Sequence, residues 1–74
     1  MNPTALKRYM KALVDAYAIA KKLDKIDGYD FSIDMQALQD MWDDASMKLT
    51  QNGGVDDYEW VKSQANLIDV THWK

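Results

Sequence analysis

Apolar and polar residues recur along this chain with the period of a helix, in three blocks. In the first, Leu6, Tyr9, Met10, Ala12, Leu13, Ala16, Tyr17, Ile19, Ala20 and Leu23 fill one half of a helical wheel. Lys7, Arg8, Lys11, Asp15, Lys21, Lys22 and Lys25 fill the other. Asn2 offers a side-chain cap, Pro3 suits the first helical position, and no glycine follows before Gly28. The spacing predicts an amphipathic helix with a broad buried face. Lys21, Lys22 and Lys25 near its end complement the helix dipole.

The second block runs from Ser32 or Asp34 to about Thr50. Met35, Leu38, Met41, Trp42, Ala45 and Leu49 form its apolar stripe, with Asp40, Asp43 and Asp44 opposite. Asp34 as the cap places Ile33 and Leu38 in staple positions, and Asn52-Gly53-Gly54 ends the helix. In the third block Asp56 and Glu59 have capping-box spacing, and Val55 and Trp60 take the staple positions. That helix runs to about Asn66, or on to Thr71 as the alternative, with Tyr58, Val61, Ala65 and Ile68 on one face. The expected fold class is all-α, a compact three-helix domain spanning residues 1–74. One stretch supports an alternative. Tyr29 to Asp34 alternates as a half-buried strand does, and the chain after Leu67 tolerates β structure. The alternative is therefore an α+β fold with a short two-strand pairing of residues 29–33 and 67–71.

Composition narrows the chemistry. The 74 residues are 47% hydrophobic and 28% charged, as in a globular chain, and this length holds one domain with a small core. Absence of cysteine excludes disulfides, thiolate metal sites and cysteine nucleophiles, and favours a cytoplasmic, intracellular setting, a host cell included. No apolar run approaches a membrane span, and the N-terminus lacks a signal-peptide pattern, so no membrane partner is expected.

Net charge is −3 and the pI about 4.8, but the charge is uneven. The first block is basic, whereas residues 26–60 carry Asp27, Asp30, Asp34, Asp40, Asp43, Asp44, Asp56, Asp57 and Glu59 against Lys48. The simplest arrangement folds the basic segment back on the acidic one. Asp40, Asp43 and Asp44 lie three and four residues apart. Like charges at that spacing cost a helix roughly 0.2–0.5 kcal/mol per pair. Met47 projects from the same face, where a self-sufficient monomer gains little from it. These four are candidate contacts to a basic partner, with the methionine as an adaptable apolar point. Trp60 and Leu67 share a face of the third helix roughly opposite Val61, Ala65 and Ile68, a second apolar stripe unless the chain turns back after Asn66.

Other constellations are weaker. Asp24, Asp27, Asp30 and Asp34 do not fit a calcium loop, because Gly28 at its sixth position puts Leu23 at the first. Four carboxylates near a glycine read as a turn, and no metal or cofactor is expected. His72 is the sole imidazole, close to the C-terminus, with no serine positioned by sequence to use it. A chain this short encloses little space for tuning catalytic carboxylates, so no enzymatic activity is expected. Lys7, Arg8 and Lys11 make a small basic patch, but an acidic chain argues against direct nucleic-acid binding. A carboxylate cluster that imitates a phosphate backbone stays open.

The expected function is non-catalytic protein binding through Asp40, Asp43, Asp44, Met47, Trp60 and Leu67. The picture is a small acidic inhibitor or adaptor docking on a basic surface of a larger nucleic-acid-handling protein, such as a defence complex. Its short, acidic, cysteine-free profile is common among viral and mobile-element accessory proteins. The alternative is a structural homodimer sealed by Trp60, Leu67 and Trp73, with the acidic face serving solubility.

Overall fold

A computed structural model describes residues 2–73; Met1 and Lys74 lie outside it. Three helices appear in chain order, α1 (Pro3–Asp24), α2 (Ser32–Asn52) and α3 (Val55–Ala65), and a single 3₁₀ turn, Asn66–Ile68, extends the last. The fold is all-α.

Each helix start has a local cause. Asn2 Oδ1 accepts the Thr4 and Ala5 N–H groups at 3.0 and 3.2 Å, with Pro3 in the first turn. This is the capping the sequence implied. The start of α2 differs from expectation. Asp30, not Asp34, supplies the carboxylate, accepting the Ser32 N–H at 3.0 Å and its hydroxyl at 2.7 Å. Those two bonds hold the Asp30 carboxyl below the usual range. Ile33 is 82% exposed, so it staples nothing. α3 is likewise capped earlier than its spacing suggested. Asp57 Oδ2 accepts the Gly54 N–H at 3.2 Å, so the reaching acid is Asp57 and not Glu59. Val55 stays exposed.

The α+β alternative is overturned, because residues 29–33 and 67–71 form no strand. Gly28 at φ +89° turns the chain in the left-handed region, where a side chain is strained. Asp24 Oδ1 accepts the Phe31 N–H at 2.8 Å, drawing the segment back onto the end of α1. The apolar alternation there is spent on an edge-to-face contact of Tyr29 with Phe31, 6.0 Å apart. At the other end, Asp69 adopts φ 57° and the Val70 N–H donates to the Ala65 carbonyl at 3.0 Å. That is a helix-ending turn, which reverses the chain instead of extending it.

Met10, Leu13 and Tyr17 of α1 pack on Trp42, Ala45 and Leu49 of α2, and Val61, Ala65, Ile68 and Val70 close the core. Fully burying a large apolar side chain contributes roughly 1.5–3 kcal/mol. The Trp42 indole N–H sits in this core with no acceptor among the described residues. The molecule is a slab of 44 × 23 × 14 Å. α1 and α2 form an antiparallel hairpin, and α3 runs back along one of its grooves. α1 has 22 residues and α3 only 11, so the cover is partial. The buried face of α1 is therefore narrower than its pattern predicts: Tyr9, Ala12, Ala16 and Ile19 are exposed.

Candidate functional site

The outer face of α2 carries the acidic cluster. At 100° per residue, Asp40, Asp43, Asp44 and Met47 point away from Trp42, Ala45 and Leu49, which anchor the helix to the core. Ile33 continues the row toward the helix start. Among the described residues Asp40 meets only an amide, the Gln36 Nε2 at 3.0 Å. Asp44 pairs with Lys48 of its own helix at 2.8 Å, a surface ion pair that raises the lysine's pKa through its hydrogen bond. Met47 is 47% exposed among them.

Asp43 has a different role. Its Oδ1 accepts the Trp73 indole N–H at 2.9 Å and lies 2.7 Å from His72 Nε2. The carboxylate pins the C-terminal segment against α2, and Tyr58 meets the Trp73 ring edge-to-face at 6.2 Å. Beside it a polar groove of about 220 Å³ runs between α2 and that segment. Gln36, Asp40 and Asp43 form one wall; Val70, Thr71 and His72 form the other.

The basic segment does not fold back on this cluster. Lys7 reaches Asp57 at 2.7 Å and Lys21 reaches Asp69 at 3.0 Å, both at the α3 side of the molecule. The Lys7 bond and the Gly54 N–H hold the Asp57 carboxyl below its ordinary range. Tyr17 donates its hydroxyl to Asp69 Oδ2 at 2.6 Å. Burial, and then this bond to a carboxylate, push the Tyr17 phenol up to about 12, while Tyr17 and Lys21 together lower the Asp69 carboxyl.

The six residues singled out from the sequence do not share one surface. Asp40, Asp43, Asp44 and Met47 lie together. Trp60 lies half-buried against the core, with Lys7 Nζ 5.4 Å above its ring. Leu67 is 54% exposed beside the end of α1, at the lip of a second cleft of about 300 Å³ rimmed by Lys21, Lys22 and Lys25. The chain does turn back after Asn66, and it carries Ile68, Val70 and Trp73 onto the core but leaves Leu67 outside. A seam of Trp60, Leu67 and Trp73 is thus reduced to one free side chain. The groove beside Asp40 was not foreseen, since its second wall depends on the reversal at Asp69. Comparison with known protein families, curated proteins and solved structures gives no match. Among the described residues no helix is long and apolar enough to cross a membrane.

Proposed function

We propose that the chain is a non-catalytic protein-binding module whose outer α2 face docks on a basic surface of a larger protein. The observation that carries this reading is the row of Ile33, Asp40, Asp44 and Met47. Two exposed apolar side chains flank carboxylates that no lysine of α1 neutralises. A monomer gains nothing from that arrangement, whereas a cationic partner gains both charge complementarity and apolar area. The groove between Asp40 and Thr71 suits one arginine of the partner. A guanidinium fits between Asp40 and the free edge of Asp43 and can donate to Gln36 and the Thr71 hydroxyl as well. Asp44 and Met47 then form the rim. Trp60 holds the bundle together and does not contact the partner.

The charge sign and small size suit an inhibitor or adaptor that occupies the basic groove of a nucleic-acid-handling protein, as an anti-defence protein of a phage or mobile element does. The test is affinity capture from lysate with the wild type and with Asp40→Lys/Asp44→Lys. Asp43 is left intact because it anchors the C-terminal segment. The wild type is expected to retain a basic protein that salt displaces and the charge-reversed variant misses. Equal capture by both, with circular dichroism unchanged, removes the α2 face from the reading.

A further inference from the structure

α1 carries a second apolar stripe that the protomer leaves uncovered. Tyr9, Ala12, Ala16, Ile19 and Leu23 follow one another at spacings of three and four, and Ile26 extends the series in the turn beyond the helix. Ile19 is 60% exposed and Tyr9 45%, and both alanines are open. The stripe lies away from α3, since Lys7 and Lys21 reach the α3 side from the opposite flank of the helix. This is the a/d pattern of a helix that expects a partner helix.

We infer that a second copy of this chain covers this stripe, α1 against α1 in antiparallel orientation about a two-fold axis. Shape and charge both select that occupant. In antiparallel register Ala16 faces the partner's Ile19, Ala12 faces the partner's Leu23, and Tyr9 faces the turn bearing the partner's Ile26. Every layer then sets a small or flat group against a branched one, so two helices approach closely without a void. The same register places Asp15 beside the partner's Lys22, and symmetry makes the pair twice. Neither residue has an ion-pair partner among the described residues. A parallel pairing instead stacks Ala12 on the partner's Ala12 and Ala16 on the partner's Ala16, and puts Asp15 and the partner's Lys22 on opposite flanks of the seam, where they cannot pair. The antiparallel seam leaves the outer face of α2 free, so this inference does not depend on the proposed function.

Sedimentation equilibrium of the full chain is expected to give a mass near twice 8.5 kDa at high protein concentration. Ala16→Glu, on a residue exposed in the protomer, should keep the helical circular dichroism and weaken association about 100-fold by placing a charge at the seam. Asp15→Lys should weaken it about 10-fold, and Asp15→Lys/Lys22→Asp should restore it, because the register pairs those positions across the two-fold. A monomer at every concentration overturns the inference. So does a dimer that ignores Ala16→Glu, or one that Leu67→Asp dissociates instead. Failure of the charge swap to rescue Asp15→Lys overturns the antiparallel register.

Discussion

Asp69 ends α3 and ties the C-terminal segment to α1, so its replacement measures both links at once. Its backbone sits at φ 57°, ψ 29°, and its carboxylate accepts the Tyr17 hydroxyl at 2.6 Å and the Lys21 ammonium at 3.0 Å. Asp69→Ala removes both bonds and keeps a Cβ in the left-handed region. Loss of the acceptor for a nearly buried phenol costs about 1–3 kcal/mol, and the Gln39 amide 3.4 Å away donates to that hydroxyl and so does not replace the acceptor. The exposed Lys21 pair adds about 0–1 kcal/mol, and alanine in this conformation about 1 kcal/mol. The total is about 2–5 kcal/mol, a large share of the stability of a domain this small. Asp69→Gly makes the same losses but relieves the backbone, so it should cost about 1 kcal/mol less. Asp69→Asn tolerates the backbone and keeps an acceptor oxygen, so it should cost least. Urea unfolding followed by far-UV circular dichroism gives the order Asn, Gly, Ala. Tyr17→Phe combined with Asp69→Ala should be less damaging than the sum of the two, because the second change removes a contact already lost. An alanine variant no worse than the glycine one, or full additivity with Tyr17→Phe, refutes the assignment.

The same pair sets an alkaline limit. The phenol pKa is raised from 10.0 to about 12, so the folded state holds a proton that the unfolded chain has released between those values. Stability is fully present below pH 10 and falls by about 2 kcal/mol as pH rises toward 12, a loss that Tyr17→Phe should abolish in pH-dependent urea melts. On the acid side the lowered carboxyls of Asp30, Asp57 and Asp69 contribute stability above the ordinary carboxylate pKa and lose it as pH falls below that range. Asn2→Ala should destabilise by about 1 kcal/mol in thermal melts, through loss of the cap on α1. Gly53→Ala should be costly, since its methyl meets the Leu49 carbonyl at 2.7 Å and collides with the capping Asp57 carboxylate, whereas Gly54→Ser has open space and should be neutral or stabilising. Asp43→Ala should release the C-terminal segment, seen as faster amide exchange at residues 70–73 and a red-shifted tryptophan emission.

Local physics was legible along the chain. Asn2 and Pro3 fix the start of α1, glycines at 28 and 53–54 separate the helices, and the stripe of Trp42, Ala45 and Leu49 marks the inner face of α2. Those signals act within a turn or two of chain, where helical spacing and caps dominate. The outward direction of Asp40, Asp44 and Met47 followed from the same periodicity. What the pattern misjudged were the choices among neighbouring carboxylates. Asp30 supplies the carboxylate at the start of α2 where Asp34 was expected, and at α3 the box is Gly54 with Asp57 where Asp56 with Glu59 was expected, because several acids lie within reach of each helix start and the path of the preceding turn selects one.

Tertiary structure decided the rest. The half-wheel of apolar residues on α1 does not say which quadrant a partner will cover. α2 and the short α3 take one quadrant and leave Tyr9, Ala16 and Ile19 open. Trp60 and Leu67 share a stripe by spacing, yet Trp60 packs half-buried against the core under Lys7 while Leu67, in the turn after α3, stays exposed. Lys7 and Lys21 find Asp57 and Asp69, distant in sequence, and not the aspartates of α2. Periodicity specifies that a face is apolar or charged; only the packing of distant segments specifies what lies against it, because burial depends on neighbours that no local spacing encodes.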